Sequence, residues 1–317
     1  ERRQVLISAR KLDVSRLASQ AQTWVNQHLI YTHGYGVVIS PVNESTGQGY
    51  PHFIVKDIPP ATTTDLVIEQ PALYFGELTS NYVIAGTGLA EFDYPVGDSN
   101  AETSYSGDGG IEVGGLARRA AFAMRLSAPQ ILFSNYITHD SKVLFRRTIS
   151  ERITALAPWL YQDSDPYPVV ADGRVVWVMD CYTVSDRYPY SERYGGINYI
   201  RNSVKVTVDA YDGTTTLYAF DPSDPLLVAW SKVYPGLLAD AGDMPEEIAE
   251  HLRYPADLFS LQAEVYKTYH MRDPKVFYNK EDQWALPGEG SDGSGTAMDP
   301  FYVLMQLPQE ADEDFML

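Results

Sequence analysis

Between residues 203 and 219, Val204, Val206 and Val208 alternate with Lys205 and Thr207, then Asp212-Gly213 leads into a threonine-rich alternating run. Period-two alternation on both sides of an Asp-Gly pair predicts an antiparallel hairpin. The apolar run VVWVMDCYTVS reads as a strand, and GVVIS, HFIVKDI, ALYFGEL and NYVIAGT, between Tyr31 and about Thr87, read as shorter strands separated by Pro, Gly and Asn clusters. Spacing near 3.6 predicts helices elsewhere. These are KLDVSRLASQAQTWVNQH behind a cap at Asp13 or Ser15, LARRAAFAMRL, SKVLFRRTISERITALAPWL closed by Pro158, and two helices in MPEEIAEHLRYPADLFSLQAEVYKTYH divided at Pro255. Residues 91–115, rich in Gly, Asp and Ser, read as a long loop or flap. The class is α+β: antiparallel-type sheets and hairpins with segregated helices, loop-rich, without βαβ alternation. The expected organisation is an α+β region over 1–285 with an internal boundary near 91–115, a Gly/Ser-rich flexible linker over 286–300, and a short strand with an acidic tail over 301–317.

Charge changes the picture more than length does. Lys plus Arg number 24 against 42 Asp plus Glu, a net charge of -18, which repels phosphate backbones and argues against nucleic-acid binding. No phosphate-cradling G-x-x-x-x-G-K-[ST] motif is present, so no dinucleotide or nucleotide site is expected. Cys181 is the sole cysteine, which excludes an internal disulfide and reads as a buried filler rather than a nucleophile. No apolar run approaches the roughly 18–20 residues that cross a bilayer as a helix. With Glu1 first and no secretory leader, the chain reads as an excised or processed fragment.

Several runs are long enough to be specific: WVNQHLIYTHGYGVVISPVNE, LYFGELTSNYVI, EFDYPVGDSN, RRTISERITALAPWL, DGRVVWVMDCYTVSDRYPYS, INYIRNSVKVTVDAYDGTTTLYAFDPSDP and HLRYPADLF. Together they resemble the bacterial uncharacterised protein family 0182, over about Trp24 to Trp284. That resemblance implies a large protein with several N-terminal membrane helices and a big soluble region outside the cytoplasmic membrane, of which this chain matches the soluble region and stops within it. It implies no activity for any residue.

Any chemistry must then be carried by the residues themselves. The run LIYTHGYGVV invites comparison with the strand and His-Gly that supply an oxyanion-hole amide in α/β-hydrolases, yet Ser106, Ser291 and Ser294 lack the G-x-S-x-G spacing. Gly34 and Gly36 then read as turn residues, with His33 and Tyr35 packing locally. The histidines form no H-E-x-x-H pair, so zinc is not expected. Asp163 and Asp165 have a D-x-D spacing compatible with calcium, although Asp before Pro is ordinary turn chemistry. Arg118, Arg119, Arg125, Arg146, Arg147 and Arg152 read as ion-paired with carboxylates, with an anion site as the minority reading.

Two functions compete on this basis. The first is a noncatalytic extracytoplasmic platform that binds other envelope components or the membrane part of the same protein. The second is an envelope enzyme that uses paired carboxylates on a glycan or similar polymer, with aromatic residues lining the cleft. The candidate binding residues are His33, Tyr35, Asp163, Asp165, Asp180, Arg201 and Asn202. No cofactor is expected beyond calcium at Asp163 and Asp165.

Overall fold

The computed structural model describes residues 3–288, 298–309 and 313–317. Its centre is the predicted hairpin, strands Tyr199–Asp209 and Thr215–Ala219, joined on the other side by the long strand Arg174–Ser185, which in turn pairs with Tyr167–Ala171 and Tyr161–Gln162. All these pairings are antiparallel, and Leu238–Asp240 adds a parallel edge against Thr215–Ala219. Gly213 makes the predicted turn at φ 74°, a conformation that favours glycine.

Alternation sorts the two long strands onto two buried faces. Val175, Trp177, Met179, Cys181, Val204, Val206 and Val208 enter the main core with Tyr74, Phe75, Leu144, Ile149, Ile153 and Leu227. The opposite face carries Val178 with Tyr167, Val169 and Tyr218, covered by Met244 and Ile248. Cys181 is completely buried, and burial pushes its thiol well above the ordinary value. A bulge between Cys181 and Thr183 shifts the register, and Thr183 meets Ser203 at 3.2 Å beside the carboxylate of Asp224.

A smaller cluster, Leu29, Ile84, Val113, Ile131, Ile137 and Val143, joins helix Leu116–Arg125 to strands Val83–Ala85, Ile111–Glu112 and Lys142–Leu144. Near the N-terminus, Val5–Ala9 pairs with Val37–Pro41, followed by Val55–Lys56 and Ala61–Thr62. Helices Glu246–Ala249 and Ala256–Tyr269 flank Pro255 as expected, and Val303–Met305 pairs with Asp314–Met316. Residues 289–297, most of the expected linker and the site of Ser291 and Ser294, lie outside the described residues.

Three elements differ from expectation. The predicted N-terminal helix is instead two 3-10 turns, Val14–Arg16 and Ser19–Ala21, and a π-helical turn, Asn26–Ile30. Asp13 does cap the first turn, but Gln22 donates to the carbonyls of Ser15 and Leu17 and Asn26 to that of Ala21, diverting acceptors that a continuous helix would use. Within 91–115, Glu91–Val96 and Ser99–Thr103 form a hairpin rather than a loop. The helix expected from Ser141 begins only at Ile149, because Lys142–Leu144 is held as a strand between two partners.

Asp224 shows how tightly the central sheet is tied to its surroundings. It is fully buried at the N-cap of helix Pro225–Val233, and accepts from Thr183 Oγ1 at 2.5 Å, Tyr199 Oη at 2.5 Å, Ser203 Oγ at 2.7 Å and the Leu226 amide at 3.1 Å. Burial raises its pKa, but these donors outweigh it and the carboxyl ends below the usual 3.8. Asp224→Ala removes a cap and strands buried hydroxyls, so it is expected to cost about 2–4 kcal/mol at pH 7. Because the folded pKa is depressed, the wild-type advantage is present above pH 3.8 and lost as pH falls through the folded value, which urea titrations of both proteins across that range will measure.

Candidate functional site

The run YTHGYG follows the π-helical turn and runs into strand Gly34–Tyr35, which pairs with Ala72–Leu73. Glycine is required at 34 because a Cβ there would lie 2.2 Å from the carbonyl oxygen of Arg10. The N-terminal segment is thereby laid directly on this run: Tyr35 donates to Arg10 O at 3.0 Å and Arg10 to Gly36 O at 2.9 Å. The backbone of His33-Gly34 is therefore committed to sheet and packing, not presented as an open oxyanion-hole amide.

Thr32 and His33 sit inside a sealed polar hub. The Thr32 hydroxyl donates to Glu91, and His33 Nδ1 lies 2.9 Å from Thr32 Oγ1 while Nε2 lies 3.2 Å from Asp93. The imidazole stacks on Tyr74 with ring centres 4.7 Å apart, and its side chain is entirely covered. Glu91 is fully buried and accepts further bonds from Tyr74 Oη at 2.7 Å and the amides of Tyr105 and Gly86 at 3.0 and 3.2 Å. Burial, then the Glu91 charge, raises the Tyr74 phenol well above its ordinary value.

Arg147 completes the hub. Its guanidinium donates to the carbonyls of Thr32, Tyr74 and Asn81 at 2.5, 2.6 and 2.9 Å, tying three distant segments together. Burial lowers its pKa to about 9 despite the opposing pull of Tyr74 and Glu91. Beside the hub opens a cleft of about 370 Å³, lined by Lys11, Ser15, Tyr31, Leu78, Asn81 and Arg147 among others, a size within the range of roughly 300–1,000 Å³ typical of small-molecule sites. Tyr35 lies outside the cleft against Tyr94, and burial followed by Asp93 and Tyr94 pushes its phenol up to about 12.

All the remaining candidates but Arg201 gather near the second face of the central sheet. Asp180 and Lys205 are directly opposed across the long strands and form a buried ion pair, to which Asn202 donates at 3.0 Å. Asp163 accepts from Tyr182 and from the amides of Asp165 and Asp257, while Asp257 accepts from Ser164 N and Oγ, both at 2.8 Å. This reciprocal clasp fixes the start of helix Ala256–Tyr269 to the loop. Burial raises the Asp163 pKa against the lowering by Tyr182 and the Asp165 amide. Asp165 pairs with Arg253 at 2.6 Å, whose guanidinium lies over the rings of Tyr167 and Tyr302 at 4.0 and 4.6 Å.

Asp163 and Asp165 therefore have separate partners, and no three His, Cys, Asp or Glu among the described residues are placed to share a metal ion. Arg201 stands apart, bound to Asp221 at 3.0 Å on the exposed edge. The arginine-rich segment departs from the expected carboxylate pairing: Arg118 meets Glu112 at 3.3 Å, but Arg119 donates to the Ser134 and Ile137 carbonyls and Arg152 to Thr215 Oγ1. Sequence reasoning did not single out Glu91 or Thr32, and it placed Arg147 only within a basic cluster. Their importance arises from long-range contacts that no local pattern encodes.

Residues 1–317, the whole chain, match the profile of the Uncharacterised protein family (UPF0182). The chain belongs to this family. It is similar to UPF0182 proteins of Sulfurovum sp. (strain NBC37-1), at 48% identity over 99% of the chain, and of Desulforamulus reducens, at 47% over 100%. It also resembles the UPF0182 protein alr1037 of Nostoc sp., at 48% identity over 100% of the chain. These matches cover 35%, 34% and 34% of the relatives, so the chain spans about a third of their length. No solved structure matches. Among the described residues no helix is long and apolar enough to cross a membrane.

The Asp180–Lys205 pair gives a direct test of the second face. Removing one partner leaves a buried charge uncompensated, so Asp180→Leu or Lys205→Met is each expected to cost about 3–5 kcal/mol, whereas the double variant recovers much of that loss. A double-mutant cycle by chemical denaturation reads the coupling, and additive costs would remove the pair from the account of this face.

Proposed function

We propose that the chain is a noncatalytic binding and assembly region on the extracytoplasmic side of a larger membrane protein, which engages another envelope component or the membrane part of its own protein. The observation that carries this reading is an exposed aromatic face built by helix Ala256–Tyr269, helix Pro274–Asn279 and the loop 186–198. Tyr190 is fully exposed and Tyr278 86% exposed, with Tyr266, Tyr269 and Trp284 at least half exposed. Contacts join these elements: Tyr194 Oη donates to Glu264 O at 3.3 Å, the Tyr269 and Phe277 rings lie 5.3 Å apart, and Trp284 stacks on His270 at 3.8 Å. Large exposed aromatic groups of this kind mark interaction surfaces.

Charge supports the same choice. Residues 186–198 and 264–284 together carry six acidic and six basic side chains, so this face is neutral in a chain of net charge -18. A partner docking here meets no local excess of negative charge within the screening length of about 8 Å. The relatives are about three times as long as this chain, which supports a larger protein around it. By contrast, His33, Asp163 and Asp180 are buried in local hydrogen bonds, so a paired-carboxylate hydrolase has no open pair of acids among them. Calcium at Asp163 and Asp165 would have to displace Tyr182 and Arg253.

Tyr190→Ser combined with Tyr278→Ser touches exposed rings, so each change is expected to alter stability by about 0.5 kcal/mol or less. The same variant, in the full-length protein, is expected to lose its association with envelope partners when complexes are isolated from detergent-solubilised membranes. Retained association with an unchanged melting temperature would exclude the aromatic face as the docking surface.

A further inference from the structure

We propose that the cleft beside the Thr32-His33-Gly34 turn binds a small anion bearing carboxylate or phosphate oxygens, held by Lys11 and Arg147. This site is separate from the aromatic face and does not depend on the platform reading. Three observations converge on it.

The first is the charge state of the wall. Arg147 is 3% exposed, and among the described residues its guanidinium is bonded to three carbonyls and ion-paired with no carboxylate. Glu91, the carboxylate whose charge acts on it, is already engaged by the Thr32 and Tyr74 hydroxyls and two amides. Three bonds leave two of the five guanidinium N–H groups unused, and a buried cation whose one acidic neighbour, Glu91, acts on it without a direct ion pair gains more from an anion than a surface cation does.

The second is the composition of the mouth. Lys11 lines the same cleft, is exposed and has no ion pair among the described residues. Asp13 is the one acid in the lining, and its carboxylate is engaged by Ser15 N at 3.1 Å, Ser15 Oγ at 2.6 Å and Arg16 at 3.3 Å. Two cations against one paired acid make this a positive pocket in an acidic protein, with Ser80 and Asn81 as neutral polar neighbours.

The third is how the cleft is built. Its walls come from the N-terminal segment laid on Gly34 and from the π-helical turn Asn26–Ile30, which contributes Gln27. π-Helical turns are rare and occur frequently at functional sites.

Isothermal titration of the full chain with inorganic phosphate and, separately, with succinate tests the proposal. One saturable site per chain is expected for at least one probe. Lys11→Gln, an exposed change that leaves the hub intact, is expected to weaken it about tenfold or more, the loss of one hydrogen bond to a charged group. Arg147→Lys should weaken it further, with circular dichroism confirming the fold, and the Tyr190→Ser/Tyr278→Ser variant should bind as wild type. No saturable binding of either anion, or an affinity unchanged by Lys11→Gln, overturns the site and leaves the aromatic-face reading untouched.

Discussion

Strands Arg174–Ser185 and Tyr199–Asp209 are covered on both faces along their middle stretches, so the polar side chains buried there need partners inside the protein. In the main core valines and aromatic rings fill the space, and Trp177 Nε1 donates to the Phe75 carbonyl at 3.2 Å. The second face is different, because Asp180, Tyr182, Ser203 and Lys205 are as buried as the valines beside them. Their partners are what fix the surrounding elements: Tyr182 holds Asp163, and Asp163 holds the helix that begins at Ala256. Thr183 and Ser203 hold Asp224, which caps the helix beginning at Pro225. The sheet thus positions its helices through specific polar bonds rather than through apolar contact alone, which fixes register and orientation together.

The same logic governs the hub around Glu91. A carboxylate with no exposure is tolerable only with several donors, and here one comes from residue 32, one from residue 74 and two from the backbone at 86 and 105. Arg147 gathers carbonyls from residues 32, 74 and 81 in turn. The YTHGYG run owes its composition to this packing: Thr32 and His33 belong to the hub, and Gly34 admits the N-terminal strand. A histidine that suggests catalysis in the sequence has both ring nitrogens engaged by local side chains and its ring covered.

Legibility in the sequence followed the range of the forces involved. The hairpin ending at Asp212-Gly213 was readable because alternation and turn chemistry are both local, and the helices about Pro255 for the same reason. The N-terminal segment has helical spacing, but Gln22 and Asn26 divert its carbonyls, a competition that periodicity does not record. Lys142–Leu144 became a strand because Val83–Ala85 and Ile111–Glu112 flank it, and neither neighbour is near in sequence. The hairpin within 91–115 escaped notice because its second strand, Ser99–Thr103, is polar and largely exposed. Among site residues, His33, Asp163 and Asp180 stood out as polar residues within apolar or turn-rich runs. Glu91 and Arg147 did not, because burial of a charge is a tertiary fact.

Charge distribution is the property that joins these local facts to function. A protein with net charge -18 approaches most anionic surfaces and molecules against a repulsive field. Among the described residues, the aromatic segments around helix Ala256–Tyr269 and the cleft next to Arg147, lined by Lys11, depart from that average. Neither departure is needed for folding in the way the buried pairs are, since Tyr190, Tyr278 and Lys11 are exposed and tie no elements together. Beneath both lie the bonds that fix their supports: the Asp163–Asp257 clasp at the start of helix Ala256–Tyr269, and the Arg147 carbonyl bonds in the cleft wall.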